Sequence, residues 1–290
     1  MKRTKYKSAR PGVVNSLPQK LAIYAVLILG SMAMLLPFFW MISTAFKKAG
    51  DVFLLPIRWI PPNPTLENFQ RVFTEFEFQH YIWNTVWLTA INMVGFMLSC
   101  ALVAYGFATQ RFKYKNALFM LVLATMMLPK EVIFYPRFIL FKFMGLYGTM
   151  APLWLLSFFA DAFQVFLMRQ FFMGIPSELG EAAKIDGCSR FRIFWNLYIP
   201  LSKPVLATSA IYIFMFHWND FFGPLIYITQ ESNRTAALAL MYLRGSQDVQ
   251  SMMPMQMSAA IITALPCLIL YYFCQRYFIA GMTVTTGVEK

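Results

Sequence analysis

The sequence has few charged side chains. Asp, Glu, Lys and Arg make up only 13% of its 290 residues, about half the share found in soluble domains. Hydrophobic residues, by contrast, make up 59% of the chain. Together these fractions exclude an ordinary soluble domain and indicate a membrane protein.

The short motifs of several enzyme classes are also missing. The chain has no GxxxxGK(S/T) phosphate-binding loop, so it cannot hydrolyse ATP by that route, and neither HExxH nor GxSxG occurs. Its two histidines are His80 and His217, and we expect His217 to be a packed, hydrogen-bonded residue rather than a ligand. We therefore predict no catalytic residue, no metal site and no cofactor in this chain.

Cysteine is equally sparse. The four thiols lie in or near apolar segments or in one charged loop, with neither CxxC metal spacing nor the pattern of a disulfide framework. They are Cys100, Cys188, Cys267 and Cys274.

Long apolar runs dominate what is present. A bilayer crossing needs about 20 consecutive apolar residues, and six segments of the chain approach or exceed that length. Three are uncharged, and the others are interrupted by Lys130 and Glu131, by Asp161, or by Asp220. The resulting prediction is an all-α integral membrane protein with six transmembrane helices. The six segments are 21–46, 81–110, 116–136, 143–168, 205–230 and 249–275.

Basic residues are concentrated in alternate loops. Residues 1–20 hold six Lys and Arg residues and no acid, and Arg111, Lys113 and Lys115 follow the second segment. Elsewhere, the loops at 45–82 and 229–257 balance acids against bases. Because basic loops face the cytoplasm, we expect both termini inside, with the first span retained rather than cleaved. Inner-leaflet anchoring explains the basic tail better than nucleic-acid binding does.

The charged segment 177–204 has the signals of two short helices. Ser177 can cap the first, whose first turn carries Glu178 and Glu181, and Gly187 is placed to end it. In the second, Ser189 is the candidate cap, a stripe of aromatic residues recurs at helical spacing, and two prolines end the helix. These residues are Phe191, Phe194, Trp195 and Tyr198, then Pro200 and Pro204.

This segment resembles the EAA loop of ABC-importer permeases, which combines Glu-Ala-Ala, a following glycine and a Pro-x-x-x-Pro element. Cys188, where a small residue is usual, is a mild departure. The resemblance implies a coupling helix that docks into a cleft on a cytoplasmic ATPase; an amphipathic helix lying on lipid is the alternative. The matching residues are Glu181, Ala182, Ala183, Asp186, Gly187, Pro200 and Pro204.

The resemblance covers nearly the whole chain from residue 20 onward. Asn84-Thr85, residues 127–149, the Trp218-Asn219-Asp220 element and the ending 275–290 are similar to the shorter, maltose-type subunit of carbohydrate permeases. The family implies the type I importer fold, a bacterial or archaeal cytoplasmic membrane, and a sugar as cargo, either an oligosaccharide or a modified or acidic sugar.

The resemblance also implies partners. A second, related permease would complete the pathway, a dimer of ATPases would hold ATP and Mg, and an extracytoplasmic solute-binding protein would deliver the cargo. No nucleic-acid partner is predicted. The loop 229–257 is expected to contact the binding protein, and the tail 281–290 to insert between the ATPases. The predicted map comprises a basic tail 1–20, a first span 21–46, an outer loop 47–80, and a five-span core 81–280 that includes the EAA loop 177–204.

Polar residues inside the spans are candidates for the transport pathway. A charge at the centre of a membrane helix costs roughly 2.5–3.5 kcal/mol, so Asp161 should face a wet cavity or bond to a neighbouring helix. Trp218 beside Asn219 and Asp220 offers an aromatic ring and hydrogen-bonding groups suited to a sugar, although a helix kink before Pro224 is the favoured interpretation. An autonomous channel or ion-coupled carrier remains the alternative function, for which inverted repeats are expected; none is clear.

Overall fold

The computed structural model describes residues 17–244 and 249–285. Within these ranges the chain forms fourteen α-helices and no strand, which confirms the predicted all-α fold. The helices are α1 (Leu17–Ala45), α2 (Glu67–Thr74), α3 (Phe78–Thr109), α4 (Lys115–Thr125), α5 (Lys130–Phe143), α6 (Ala151–Trp154), α7 (Ala162–Met173), α8 (Ser177–Ile185), α9 (Arg190–Ile193), α10 (Ile199–Leu201), α11 (Lys203–Trp218), α12 (Phe222–Tyr227), α13 (Ala236–Arg244) and α14 (Val249–Thr285).

Four described segments are long and apolar enough to cross a membrane: α1, α3, Ala151–Met173 and Met252–Cys274. A fifth results if α9–α10 and α11, which meet at 82°, are counted as one span. The third predicted span is divided into α4 and α5 by a break just before Lys130 and Glu131, the adjacent charges that interrupt its apolar run. The total of six spans therefore remains a prediction.

The helix α3 packs against both α7 and α11. Small residues of α3 are buried in this core beside larger residues of α7. Small side chains let membrane helices approach closely, where van der Waals contact rather than expulsion of water drives association. The buried residues are Cys100, Ala101 and Ala104 of α3 with Val165 and Met168 of α7.

A close helix crossing lies at Gly95 of α3. A Cβ placed there would lie 2.9 Å from the Cβ of Ser157 and 3.2 Å from its carbonyl carbon. Ser157 belongs to the 3₁₀ turn Leu155–Phe159 that follows α6. Because real Cβ contacts of 2.9 Å are essentially never seen, this crossing requires glycine.

The first span, α1, is the peripheral element. Its apolar side chains are exposed along most of its length, and only Ser43, Thr44 and Ala45 at its end are buried. There the Asn68 side chain donates to the carbonyls of Ala45 and Lys47, at 2.8 and 2.7 Å. Among the long helices in the described ranges, α14 is the main one that α1 contacts.

The two ends of the bundle differ in composition. One end, which we call the EAA end, carries α8 and α9 together with the turn after α3. The opposite end carries α2 and α13, whose buried Val72, Ala236 and Ala239 form a cluster with Met255 of α14. Much of the predicted polar loop 229–257 is therefore helical and packed, because its apolar residues at 236–243 recur at helical spacing. The tails 1–16 and 286–290 lie outside the described residues.

Candidate coupling loop and intramembrane helix breaks

The turn at Gly187 ends α8 in the way the sequence predicts. Gly187 has φ +78°, and its N–H donates to the Lys184 carbonyl at 3.0 Å, while the Cys188 N–H donates to the Ala183 carbonyl at 2.9 Å. This pair of bonds is a Schellman motif, which satisfies carbonyls that a helix end leaves free. No described atom outside the neighbouring residues lies within 4 Å of a Cβ placed at Gly187.

The two predicted caps of the loop helices have different outcomes. Ser189 caps α9, since its Oγ accepts a hydrogen bond from the Arg192 N–H at 3.3 Å. The prediction for Ser177 is wrong: Pro176 occupies the cap position without a side-chain bond, and Ser177 is the first residue of α8. Proline before the first turn places its fixed φ at the helix entry, so α8 begins one residue earlier than a serine cap would allow.

The predicted aromatic stripe does not face one surface. Phe194 and Tyr198 are 1% and 5% exposed and pack on Tyr105 of α3. Phe191 and Trp195 are 63% and 39% exposed. Residues 194–198 form a turn of π-helix, whose wider spacing shifts later side chains relative to the α-helical pattern assumed from sequence. The loop is thereby anchored by two aromatic residues, and the other two remain on the surface.

The five predicted coupling residues lie on and around α8 and its terminal turn. Glu181, Ala182, Asp186 and Gly187 are exposed, and Ala183 is half-buried against the core. Neither carboxylate has an ion pair among the described residues. The EAA residues thus present a small-residue, acidic surface on a turn of fixed geometry.

A cavity of about 630 Å³ lies behind this surface, between the loop and the end of α3. Its charged residues are Glu181, Lys184 and Arg190 from the loop, Arg111 from the turn before α4, and Lys115 at the start of α4. Burial is the main cause of a lowered Lys115 pKa, and neighbouring arginines lower it further. The cavity therefore contains more positive than negative charge, and basic segments far apart in sequence meet at one end of the bundle.

The fourth predicted span is broken at Asp161. The chain turns at Ala160, which has φ +62°, and Asp161 Oδ1 accepts a hydrogen bond from the Gln164 N–H at 3.1 Å, capping α7. Groups of α3 receive the freed backbone donors: the Ala160 N–H donates to Ser99 Oγ and the Asp161 N–H to Cys100 Sγ, both at 3.2 Å. Interrupted helices persist within a membrane only where such groups are satisfied.

The fifth predicted span is broken at Asp220, so the favoured kink before Pro224 is present. Asp220 Oδ1 accepts a bond from the Gly223 N–H at 3.1 Å at the start of α12. Asn219 donates back to the Met215 carbonyl at 2.8 Å. Trp218 is 3% exposed, and its Nε1–H donates to the Thr263 carbonyl of α14 at 2.9 Å. In this structure the indole is therefore a packing element rather than an open sugar platform.

A small, partly polar cavity that sequence reasoning missed lies between α3, α7 and α11. Its volume is about 40 Å³. The side chain of Gln164 is only 2% exposed, and neither its Nε2 nor its Oε1 has a hydrogen-bond partner among the described residues. The sequence did contain one signal for this site: Gln164 is an uncharged polar residue within an apolar segment, three positions after Asp161. The lining residues are Phe96, Asp161, Gln164, Tyr212, Ile213, Phe216 and His217.

Asn84 and Thr85 connect α3 to the loop at the opposite end. The Asn84 amide donates to the carbonyls of Ser232 and Arg234 at 2.7 and 3.0 Å. Thr85 Oγ1 accepts from the Ala236 N–H at 2.8 Å. These bonds fix residues 232–236 before α13. They give a physical role to two residues that the sequence indicated by resemblance alone.

The family of the chain follows from comparison with known proteins. Residues 100–284 match the model of the family described as "Binding-protein-dependent transport system inner membrane component". This range is more than half of the chain and includes α8, its terminal turn and both helix breaks. The chain belongs to this family of ABC-transporter permease components, as the resemblance predicted.

Full-length relatives agree with this placement. The probable ABC transporter permease protein YurM of Bacillus subtilis is 32% identical over 266 residues, covering 90% of this chain and 86% of the relative. The arabinooligosaccharides transport system permease protein AraQ of Halalkalibacterium halodurans is 33% identical over 256 residues, covering 86% and 89%.

A solved structure supports the fold. The crystal structure of a bacterial ABC transporter involved in the import of the acidic polysaccharide alginate matches with a TM-score of 0.80 at 23% identity. The match covers 93% of this chain and 100% of that one. The chain therefore has the helical permease fold of an ABC importer.

Proposed function

We propose that this chain is one of two permease subunits of an ATP-driven, binding-protein-dependent carbohydrate importer in a bacterial or archaeal cytoplasmic membrane. The observation that carries the proposal is the EAA surface on α8 and its Gly187 turn. The hydrogen-bonded Gly187 turn fixes its backbone, yet four of its five residues are exposed. A surface that binds a partner protein is expected to have both properties. The family of the chain supports the same conclusion.

The EAA loop would transmit movement of the ATPases to the membrane helices. Glu181 would bond to the ATPase cleft, and Ala182 and Ala183 would allow close approach. Asp186 and Gly187 would set the turn into α9. Phe194 and Tyr198, buried in the π-helical turn that follows α9, would pass the movement to α3 and α7. The loop continues into α11 through the 82° bend near Ser202, and Val205 of α11 is buried in the same cluster as Phe194 and Tyr198.

Energy and delivery would come from other chains. The sequence contains no phosphate-binding loop, so an ATPase dimer would bind and hydrolyse ATP with Mg. A second related permease would complete the pathway, and an extracytoplasmic solute-binding protein would deliver cargo at the opposite end. The meeting of Arg111, Lys115, Lys184 and Arg190 at the EAA end supports a cytoplasmic location for that end.

The proposed cargo is an oligosaccharide or a modified or acidic sugar. AraQ is named for arabinooligosaccharides, and the structural neighbour takes part in importing an acidic polysaccharide. Asp161, Asn219 and Asp220, at the two helix breaks, would border the pathway, with Trp218 positioning the second break against α14. The bond from a backbone N–H to an aspartate at each break would let the helices flex without leaving those backbone groups free.

The test is uptake by the intact complex. The transporter would be purified through a tag on this chain from its native membranes, reconstituted in vesicles, and supplied with binding protein and a panel of arabinotriose, lactose and an alginate trisaccharide. We expect uptake of at least one sugar that requires internal ATP and stops with vanadate. If none of the sugars is taken up and a different class of solute is transported instead, the carbohydrate assignment is contradicted.

The same vesicles address the ion-coupled carrier. Broken helices also occur in such carriers, so the breaks at Asp161 and Asp220 suit both functions. In an ion-coupled carrier, however, the EAA surface would have no ATPase to bind. Sugar uptake that continues under a sodium or proton gradient after ATP is removed would establish the carrier and exclude the importer.

A further inference from the structure

We infer that the partly polar cavity around Gln164 is the point at which this subunit binds a hydroxyl or hydroxymethyl group of the cargo. The inference rests on the proposed function and adds to it a contact site within this chain. None of the pathway residues indicated by the sequence, other than Asp161, belongs to it.

The first argument is the unsatisfied amide. Gln164 is 2% exposed and its Nε2 and Oε1 have no partner among the described residues. Such a buried amide costs free energy unless it is hydrogen-bonded, and the cost is greater in hydrocarbon, where water is absent. The amide places a donor and an acceptor side by side, which suits a group that can serve both, as a hydroxyl can. Because neither atom is accessible in this structure, the cavity must widen before such a group can reach them.

The second argument is the size of the cavity. At about 40 Å³ it exceeds the roughly 10–15 Å³ that one water requires, but it cannot hold a sugar ring. One or two waters, or one protruding hydroxyl or hydroxymethyl group, would fill it. The ring that carries the group would have to remain at the mouth.

The third argument is the composition of the mouth. Tyr212 and Phe216 line the cavity and are each 45% exposed, so they offer apolar rings beside the polar interior. Asp161 and His217 also line it, and both are only half-buried. Ionisable side chains such as these rarely face lipid; within membranes they line the interior of the helix bundle or a solute pathway. On this basis we place the mouth on the pathway side of the assembled importer.

The fourth argument is the position between elements able to move. Asp161 begins α7 after the break at Ala160, and His217 lies just before the break that ends α11. Phe96 of α3 stacks on His217 with ring centroids 5.5 Å apart and closes the cavity from behind. Movement at either break would change the width of the mouth, so occupancy of the cavity would vary with the transport cycle.

The first experiment measures access to position 164. Gln164→Cys would be made in a complex whose Cys188, Cys267 and Cys274 are serine, with the fully buried Cys100 retained as an internal control. The complex would be treated with a charged methanethiosulfonate reagent at rest and after vanadate trapping. Val165→Cys, one residue away at the same depth but buried in the core, is the matched control.

We expect Gln164→Cys to react in at least one of the two states and Val165→Cys in neither. Labelling of Gln164→Cys should slow severalfold when binding protein is present with whichever sugar of the uptake panel is transported. If Gln164→Cys stays unreacted in both states, or if it and Val165→Cys react alike, the cavity has no connection to the pathway and the inference fails.

The second experiment separates cargo contact from packing. Gln164→Leu should lower sugar uptake about three- to tenfold, the value of one neutral hydrogen bond, while binding-protein-stimulated ATP hydrolysis and complex yield stay near wild type. Gln164→Asn, which retains both the amide donor and the amide acceptor, should recover part of the uptake. Parallel loss of uptake, hydrolysis and yield would indicate a packing role and overturn the inference.

The two proposals can fail separately. Uptake by the wild-type complex that is insensitive to vanadate would contradict the importer function, independently of the results for the variants at position 164. ATP-driven sugar uptake that is unchanged in Gln164→Leu, with Gln164→Cys unlabelled, would leave the importer intact and remove only the contact site.

Discussion

Two glycines, Gly187 at the EAA end and Gly95 within the bundle, are needed for opposite reasons. Gly187 has φ +78° and open space around it, so its backbone conformation is what matters. Gly95 lies within the ordinary helix α3, but the chain at Ser157 leaves no room for a Cβ. The comparison teaches that the loop is specified by local backbone geometry, whereas the membrane core is specified by contacts between distant segments.

The largest effect is expected at the loop. Gly187→Val should abolish sugar uptake and remove the ATPase from the purified complex, while membrane insertion remains normal. A residue with a Cβ adopts the left-handed conformation at a cost of about 1–2 kcal/mol, and a β-branched residue is poorly suited to it. Uptake by reconstituted vesicles and copurification of the ATPase would be measured together.

Asn at the same position is the matched control. Asn visits the left-handed region more readily than other residues, and the space around Gly187 can hold its side chain. Gly187→Asn should therefore retain substantial uptake. Normal uptake in Gly187→Val would defeat the assignment of this turn to coupling.

The next largest effect is expected at the crowded glycine. Gly95→Ala should destabilise the complex by about 1–3 kcal/mol, the usual cost of overpacking a core, and should lower its yield and melting temperature in detergent. Gly106→Ala is the control in the same helix, because no described atom lies within 4 Å of its Cβ position. It should be neutral or stabilising by about 0.5–1 kcal/mol. Equal effects of the two changes would mean that α3 and Ser157 do not meet as described.

A smaller effect is expected from removing the proposed ATPase contact. Glu181→Ala should reduce uptake less than Gly187→Val does, because the turn and both alanines remain. ATP hydrolysis should continue with less sugar moved per ATP. Glu178→Ala, on the first turn of the same helix and outside the EAA element, should behave as wild type. If the two substitutions lower uptake equally, the effect belongs to the helix and not to the contact.

The smallest effect is expected at the first break. Asp161→Ala should cost about 1 kcal/mol through loss of the cap on α7, seen as a modest fall in melting temperature. Asp161→Asn should keep the cap and most of the stability. Uptake by Asp161→Asn then distinguishes two roles. Wild-type uptake identifies a cap alone, whereas a stable complex with little uptake shows that the pathway requires the charge.

The loop could be predicted from sequence because its determinants are close together in the chain. Gly187 ends α8 and Ser189 caps α9 as expected, since each depends on residues within five positions. Ser177 fails as a cap because Pro176 takes that position. The aromatic residues divide between core and surface because a π-helical turn at 194–198, set by packing on α3, changes their spacing.

The intramembrane site could be predicted only in part. The sequence identified Asp161 and Asp220 by their cost in a span. It did not show that each accepts a backbone N–H in the first turn of the following helix, which requires knowing where the helices break. Gln164, Tyr212 and Phe96 could not be predicted as site residues, because none of them indicates a site when it is considered alone. They become a site only when α3, α7 and α11 are brought together, and no local pattern encodes that arrangement.

The support of α1 by α14 has a consequence for how the chain is made. The end of α1 is joined to the last long helix, where Ser258 Oγ donates to the Ala45 carbonyl at 3.4 Å, across 213 residues. At a synthesis rate of about 5–20 residues per second, the first span would wait about 10–40 s for this partner. During that interval α1 depends on lipid, an insertase or another subunit for support. Insertion of the first span therefore requires contacts that are absent from the finished fold.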